Sequence, residues 1–163
     1  RINDLVNRNK LKGYIKLYIN TGKDSQIKFW VKNIIKRFLG RDSISLSLLS
    51  SELTTFERLS PSEYRDFING SDTILDTQAQ YQDGLTARFM WAVGAGKKII
   101  TTNPNIKKYD FYSSDQFYIL SKDDKDNEAL LKFLMSSFKP SEAYYDKIRK
   151  YRIDNWIQTI LCQ

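Results

Sequence analysis

The hydrophobic positions of this chain change their spacing along the sequence, from the runs typical of strands to the period typical of helices. After Gly13, a short apolar and aromatic run predicts a strand over residues 14–19. Over residues 25–39 the apolar positions recur at helical spacing and predict an amphipathic helix, with Gly40 just past its end. The first part of the chain therefore predicts a strand followed by a helix.

The same alternation continues along the rest of the chain. Ser60, Pro61 and Glu63 are typical of an N-cap, a first helical position and a capping box, so a helix is predicted from there to about Asn69. The other predicted strands are 43–49, 72–76, 98–102 and 117–120, and the other predicted helices are 84–93, 128–138 and 141–161. Strands that alternate with helices in this way predict an α/β fold with a mostly parallel sheet covered on both faces.

Composition narrows the class of protein. A length of 163 residues with 41% hydrophobic side chains suits one compact domain, and no apolar run approaches the roughly 18 residues that cross a bilayer. The chain has no histidine, which excludes a Ser-His-Asp triad, a Cys-His pair and a histidine metal ligand. Its single cysteine, Cys162, excludes an internal disulfide framework, so we expect a reducing, cytoplasmic location.

Basic residues are concentrated at the beginning of the chain. Residues 1–41 contain 11 of the 26 Lys and Arg residues but only 2 of the 19 acidic ones. Lys28, Lys32 and Lys36 form a row on one face of the predicted helix. Two interpretations remain open, a solvated helix face and a peripheral contact with an anionic membrane surface. Nucleic acid is not an expected partner.

The loop between residues 76 and 88 is the polar connection most suited to chemistry. It follows a predicted strand and opens a predicted helix near Gly84, so unpaired backbone N–H groups point into the crevice beyond the strand ends. A diphosphate suits that position, with Thr86 and Arg88 as further donors. The alternative is that Thr86 caps the helix while Arg88 pairs with Asp83 or another nearby carboxylate.

Three segments in this region carry a resemblance to a known family. They read QDGLTAR over residues 82–88, GAGKKIITTN over 94–103 and IKKYDFY over 106–112. The chain here resembles the lipopolysaccharide and capsular polysaccharide biosynthesis glycosyltransferases, which carry Q-x-G-L-T-x-R, G-x-G-K-K, I-T-T-N and I-x-x-Y-D-F-Y elements in this order. The specific part of the resemblance covers residues 72–120.

The resemblance implies a GT-B enzyme, in which two Rossmann-like domains face a cleft. This chain would be the C-terminal half, a three-layer α/β domain that binds a nucleotide-sugar donor, while an N-terminal domain outside it holds a glycan or polyprenyl-linked acceptor. No cofactor and no metal are implied. The residues implied for the donor diphosphate and sugar are Gln82, Asp83, Gly84, Leu85, Thr86 and Arg88, and those for the nucleotide are Asn103, Tyr109, Asp110 and Trp91.

Trp91 is a departure from the family, which has a glutamate there that contacts the ribose. An indole donates one hydrogen bond and accepts none. Another carboxylate could replace the glutamate, the ring could stack on the base, donor affinity could be reduced, or Trp91 could simply be a core residue. A non-catalytic nucleotide- or protein-binding module is therefore the alternative function.

Two further groups of charged residues are given structural interpretations. Lys97 and Lys98 are expected to end a helix near the negative end of its dipole. The acidic run at 123–128 lacks the glycine and glutamate spacing of a calcium loop and predicts a solvated helix start instead of a metal site.

Overall fold

The computed structural model of the chain describes residues 2–15, 17–18, 26–40, 52, 54–78, 83–121 and 127–162. The chain divides into two compact units, residues 1–60 and residues 61–163. Three features of the sequence analysis lie outside the described residues: the strand predicted at 43–49, Gln82, and most of the acidic run that precedes Asn127.

The first unit is built from short elements. They are α1 (Ile2–Arg8), β1 (Leu17–Tyr18), α2 (Gln26–Phe38) and β2 (Thr54–Thr55). β1 pairs in parallel with β2, with Leu17 opposite Thr54. The predicted helix at 25–39 is confirmed as α2, and β1 lies within the predicted strand, whereas α1 and β2 were not predicted.

The second unit contains the larger sheet. Its elements are α3 (Pro61–Gly70), β3 (Thr73–Asp76), α4 (Ala87–Gly94), β4 (Lys98–Thr101), a 3-10 helix (Pro104–Lys108), β5 (Phe117–Ile119), α5 (Asn127–Met135), α6 (Glu142–Arg149) and α7 (Ile153–Leu161). The three strands are parallel in the order β3-β4-β5, with Ile74 opposite Ile99 and Ile100 opposite Tyr118. An α/β fold with a parallel sheet is therefore confirmed.

The core of this unit lies around the central strand. All four residues of β4 are buried, so both faces of that strand are covered. α4 packs against β3, β4 and α6. The buried apolar cluster consists of Phe89, Ala92, Val93, Ile99, Ile106, Phe111, Phe117 and Ile148. Because parallel strands end at the same edge, the residues after β3 and β4 are brought together there.

Two helices differ from the sequence prediction. The single helix expected at 141–161 is two helices, because Tyr151 turns inward and its ring packs edge-on against Phe111 at 5.0 Å. The backbone at Arg152 is extended, with ψ of 146°, and α7 begins after it. The helix expected at 128–138 ends at Met135, where Lys98 binds its last carbonyl groups.

Within the described part of the chain, no helix has both the length and the apolar character to cross a bilayer.

Candidate functional site

The candidate site lies at the carboxyl edge of the parallel sheet. Asp76 is the last residue of β3 and Thr101 the last of β4, and they are paired in the sheet register. The segment 83–86 leads from the described end of the loop into α4. This is the edge at which ligands bind in open α/β sheets.

Thr86 joins the end of β3 to the beginning of α4. Its hydroxyl oxygen accepts a hydrogen bond from the Phe89 N–H at 3.0 Å and donates one to Asp76 Oδ1 at 2.9 Å. The backbone of Thr86 is extended, as expected for an N-cap. The helix therefore begins at Ala87, and its expected beginning near Gly84 is wrong because the hydroxyl of Thr86 fixes the cap two residues later.

Arg88 lies in the first turn of α4 beside the same carboxylate. Its Nη2 is 3.9 Å from Asp76 Oδ1, and the Arg88 side chain is 58% exposed whereas that of Asp76 is 3% exposed. The sequence left two alternatives for an ion pair of Arg88, either Asp83 or another nearby carboxylate. The structure shows the second, since Arg88 pairs with Asp76. One guanidinium edge faces a buried charge while most of the group remains accessible to a ligand.

The electrostatics of this pair follow from its burial. Burial raises the pKa of Asp76, and the hydrogen bond from Thr86 and the charge of Arg88 oppose that effect only in part. Burial also raises the pKa of the Tyr64 phenol, which Arg88 lowers and Asp76 raises further. Tyr64, on α3, therefore lies within the field of the Asp76–Arg88 pair.

Asn103 fixes the segment that precedes the helix. Its side chain is buried, accepts a hydrogen bond from the Asn105 N–H at 2.9 Å, and donates to the carbonyls of Asp83 and Gly84 at 3.4 and 3.3 Å. Asn105 also donates to the Asp83 carbonyl. Asn103, a residue implied for the nucleotide, therefore contacts Asp83 and Gly84, which are implied for the diphosphate and sugar. It anchors the loop that precedes α4. Leu85, half-buried, packs against the core.

Tyr109 and Asp110 contact a different part of the unit. The Tyr109 ring lies 5.9 Å from the ring of Tyr151, and Asp110 accepts a hydrogen bond from the Tyr151 hydroxyl at 2.7 Å. An ion pair with Lys150, followed by that hydrogen bond, lowers the pKa of Asp110. The described contacts thus join these two residues to the α6–α7 junction, and none of them joins either residue to Thr86 or Arg88.

Trp91 lies on the outer surface of α4, with 53% of its area exposed. The interpretation of Trp91 as a buried core residue is therefore wrong. Its ring is 5.6 Å from that of Tyr64, at 50° between the planes. Trp91 also lines a shallow pocket of about 330 Å³, together with Pro61, Arg65, Ile68, Asn69 and Ala95. Because Trp91 follows Arg88 by three residues, both lie on one face of α4.

Lys97 and Lys98 do not end their own helix. α4 ends at Gly94, and Gly96, with φ of +65°, turns the chain into β4. Lys97 donates to the carbonyl of Asn69 near the end of α3, and Lys98 donates to the carbonyls of Phe133, Leu134 and Ser136 near the end of α5. The expected interaction with a helix C-terminus therefore occurs, but with two other helices.

Sequence reasoning missed Asp76 and Tyr64 as members of the site. Asp76 could have been found from its position, since it is the last residue of a strand that leads into a polar loop. Tyr64 gave no such signal, because its place next to Trp91 arises only from the packing of α3 on α4.

The described residues contain no group of three His, Cys, Asp or Glu side chains placed to hold a metal ion.

No family model matches the chain, and no curated protein or solved structure matches it either. Inference about function therefore depends on the geometry of the sheet edge and on the motifs in the sequence.

Proposed function

We propose that this chain is the donor-binding half of a GT-B glycosyltransferase, with residues 61–163 forming its Rossmann-like site. It would bind a nucleoside-diphosphate sugar in the cytoplasm, for transfer to a glycan or lipid-linked acceptor in surface polysaccharide biosynthesis. The observation that carries the proposal is the exposed Arg88 in the first turn of α4, held beside the carboxyl edge of a parallel sheet. The motifs over residues 82–112 support the same function.

The donor diphosphate would bind at the N-terminus of α4. An α-helix cannot pair the N–H groups of its first turn internally, and here Thr86 satisfies that of Phe89. The helix offers no acceptor to the N–H groups of Ala87 and Arg88, which can therefore donate to phosphate oxygens, aided by the helix dipole. The guanidinium of Arg88 would add a charge-assisted contact from the side.

The nucleoside would lie along the face of α4 that carries Arg88 and Trp91. Trp91 has no acceptor for a ribose hydroxyl, but its exposed ring offers a stacking surface for a base. Asn103 would act indirectly, by fixing Asp83 and Gly84 under the donor. Roles for Gln82, Tyr109 and Asp110 follow from the family resemblance alone.

In the reaction, an acceptor hydroxyl attacks the anomeric carbon of the donor sugar and the nucleoside diphosphate leaves. The charge that develops on the leaving diphosphate would be stabilised by the N-terminus of α4 and by Arg88. The acceptor and the catalytic base would belong to the N-terminal domain of the enzyme. Residues 1–163 alone are therefore expected to bind nucleotide without transferring sugar.

Substitution of Arg88 by alanine tests the proposal. Because the change removes one charge-assisted contact, worth roughly 1.5 to 3 kcal/mol, the affinity for a nucleoside diphosphate should fall by roughly 10- to 150-fold. The affinity for the nucleoside without phosphates should not change. Isothermal titration calorimetry with UDP, GDP, CDP and dTDP measures both, and thermal melting checks the fold.

Arg149 provides a control, since its side chain is also 58% exposed and also pairs with carboxylates, those of Glu142 and Asp146. Arg149→Ala should leave nucleotide affinity unchanged. If Arg88→Ala unfolds the domain, or leaves diphosphate affinity at the wild-type value, Arg88 is a structural residue and the phosphate site is elsewhere.

A second candidate function is a Rossmann-like module that binds a nucleotide or a protein without catalysis. The observation that favours it is Trp91, an exposed aromatic ring beside Tyr64 in the place where the family has a glutamate. The same calorimetry separates the two. A folded sample that binds none of the four nucleotides at millimolar concentration supports the protein-binding module.

A further inference from the structure

Helix α2, in the first unit, exposes an apolar stripe along one face. Phe38 is 87% exposed and Ile27 is 76% exposed. The complete stripe, with its extension just past the helix end, consists of Ile27, Val31, Ile34, Ile35, Phe38 and Leu39. These positions follow the spacing of one helical face. A contiguous apolar surface of this kind marks an interaction site in a folded protein.

The stripe is not the side by which α2 packs within its own unit. Asn33 is the buried residue of this helix, and Phe29 packs edge-on against Phe56 with ring centroids 6.3 Å apart. At about 100° per residue, Asn33 lies roughly 160° around the helix from the centre of the stripe. The apolar stripe therefore faces outward while another side holds the helix in place.

The charges of α2 have one sign. Lys28, Lys32, Lys36 and Arg37 are all exposed, and the thirteen residues of the helix include no acidic side chain. Lys28 and Lys32 border the stripe, where a lysine can lay its methylene chain on apolar surface and keep its ammonium group among anions. The helix thus combines an apolar face with a cationic border.

We propose that α2 lies flat on an anionic membrane surface, with its stripe inserted among the lipid chains and its lysines among the headgroups. This combination of faces is typical of helices that bind in the membrane interface. Thirteen residues rise only about 20 Å, which is too short to span the roughly 30 Å hydrocarbon core. A second copy of the chain is a poorer occupant, because two such helices face to face would bring eight basic side chains together and neither helix contains an acidic one.

Binding of the whole chain to lipid vesicles tests the proposal. Vesicles of phosphatidylcholine with about a third phosphatidylglycerol should bind the chain, and phosphatidylcholine alone should bind it at least tenfold more weakly. Since each basic residue near the surface contributes about fivefold, Lys28→Gln, Lys32→Gln and Lys36→Gln together should weaken binding about 100-fold. The same change of charge at Lys107, Lys108 and Lys132, which are exposed on the other unit, should have little effect.

The contribution of the apolar stripe to vesicle binding can be tested with a matched pair of isoleucine residues. Ile35 on α2 and Ile160 on α7 are each 51% exposed. Ile35→Ser should weaken vesicle binding about fivefold to tenfold, whereas Ile160→Ser should leave it unchanged. Circular dichroism melting should show that both variants remain folded, since neither side chain is buried.

Three outcomes would overturn the proposal: a wild-type chain that stays in solution with anionic vesicles, equal binding by the Ile35→Ser and Ile160→Ser variants, or a lipid-free dimer that Phe38→Ser converts to monomer in analytical ultracentrifugation. The last outcome would assign the stripe to a second copy. The proposal goes beyond nucleotide binding and is independent of it. Arg88→Ala should bind vesicles like the wild type, so the two proposals can fail separately.

Discussion

Two charged side chains in the second unit are almost completely buried, Asp76 at the end of β3 and Lys98 at the beginning of β4. Buried charges require compensating partners. Asp76 has the Thr86 hydroxyl and the exposed Arg88, whereas Lys98 has backbone carbonyls, the ring of Phe133, 5.1 Å from Nζ, and the charge of Asp72. Lys98 therefore has a structural role, whereas Arg88, the partner of Asp76, remains accessible to a ligand.

The burial of Asp76 makes stability depend on pH. Burial raises its pKa in the native state above the ordinary value of 3.8, so the unfolded chain loses this proton first as the pH rises. The contribution of Asp76 to the free energy of unfolding is therefore most favourable below that value and decreases as the pH rises through the native pKa. Asp76→Asn should remove this dependence, because an amide oxygen still accepts from Thr86 and does not ionise.

Urea unfolding of both proteins at several pH values from about 4 to 7 measures the effect. The wild type should lose stability relative to Asp76→Asn as the pH rises. Asp66→Asn, at an exposed position on α3, is the control for the loss of one carboxylate from this unit. A difference between wild type and Asp76→Asn that stays constant over this range would contradict the burial argument.

At the scale of elements, one tyrosine holds α6 against α4. The Tyr144 hydroxyl donates to the carbonyl of Val93 at 2.7 Å and accepts from the Gln116 amide, which also donates to the carbonyl of Lys97. Burial raises the pKa of Tyr144 to about 12, so the phenol is neutral over the physiological range. The network joins the end of α4, the beginning of β5 and the helix α6.

Tyr144→Phe should lower the free energy of unfolding by about 1 to 3 kcal/mol, because it leaves one Gln116 N–H buried without its acceptor. It also removes one of the two hydrogen bonds to the Val93 carbonyl, which keeps the bond from the Gly96 N–H. Chemical denaturation at neutral pH measures the loss. Tyr145→Phe, the same change at the next position, should cost less than about 0.5 kcal/mol, since no hydrogen bond of its hydroxyl is found among the described residues. Equal costs for the two variants would show that the network is not a determinant of helix docking.

Element prediction succeeded where local pattern and local capping agree. α2, α3, β3 and β4 each have a clear period or a capping signal, and each was predicted within a few residues. The prediction of elements failed where a contact with residues distant in sequence determines the local structure. The helix break at Lys150–Arg152 depends on Asp110 and Phe111, about forty residues away in sequence. No local pattern contains that information.

Site prediction shows the same division. The helix cap by Thr86 and the ion pair of Arg88 with a nearby carboxylate were predicted as the structural alternative for these residues, and both are observed. Their binding to a diphosphate stays a prediction. The exposure of Trp91 was not predictable from the sequence, because an apolar residue in an amphipathic helix is expected to face the core. Its contact with Tyr64 depends on how α3 packs on α4.

At the scale of the whole molecule, the two units differ greatly in how much they bury. Among the described residues of the first unit, only Val6 and Asn33 are buried, whereas the second unit contains the entire apolar cluster around β4. Since burial of apolar surface is the main stabilising contribution to folding, the two units should differ in their ability to fold alone. All described residues proposed for nucleotide binding also lie within residues 61–163.

A fragment of residues 61–163 should therefore melt cooperatively and bind nucleoside diphosphate within about threefold of the full-length affinity. Residues 1–60 alone should melt less cooperatively than residues 61–163, because the part of this unit that the structure describes buries only Val6 and Asn33, which offset little of the conformational entropy lost on folding. Calorimetric melting of both fragments, with nucleotide titration of the longer one, measures these properties. If residues 61–163 fail to fold, the core around β4 needs residues 1–60. If the fragment folds but loses the nucleotide, the binding site extends beyond the sheet edge described above, and Arg88 alone does not define it.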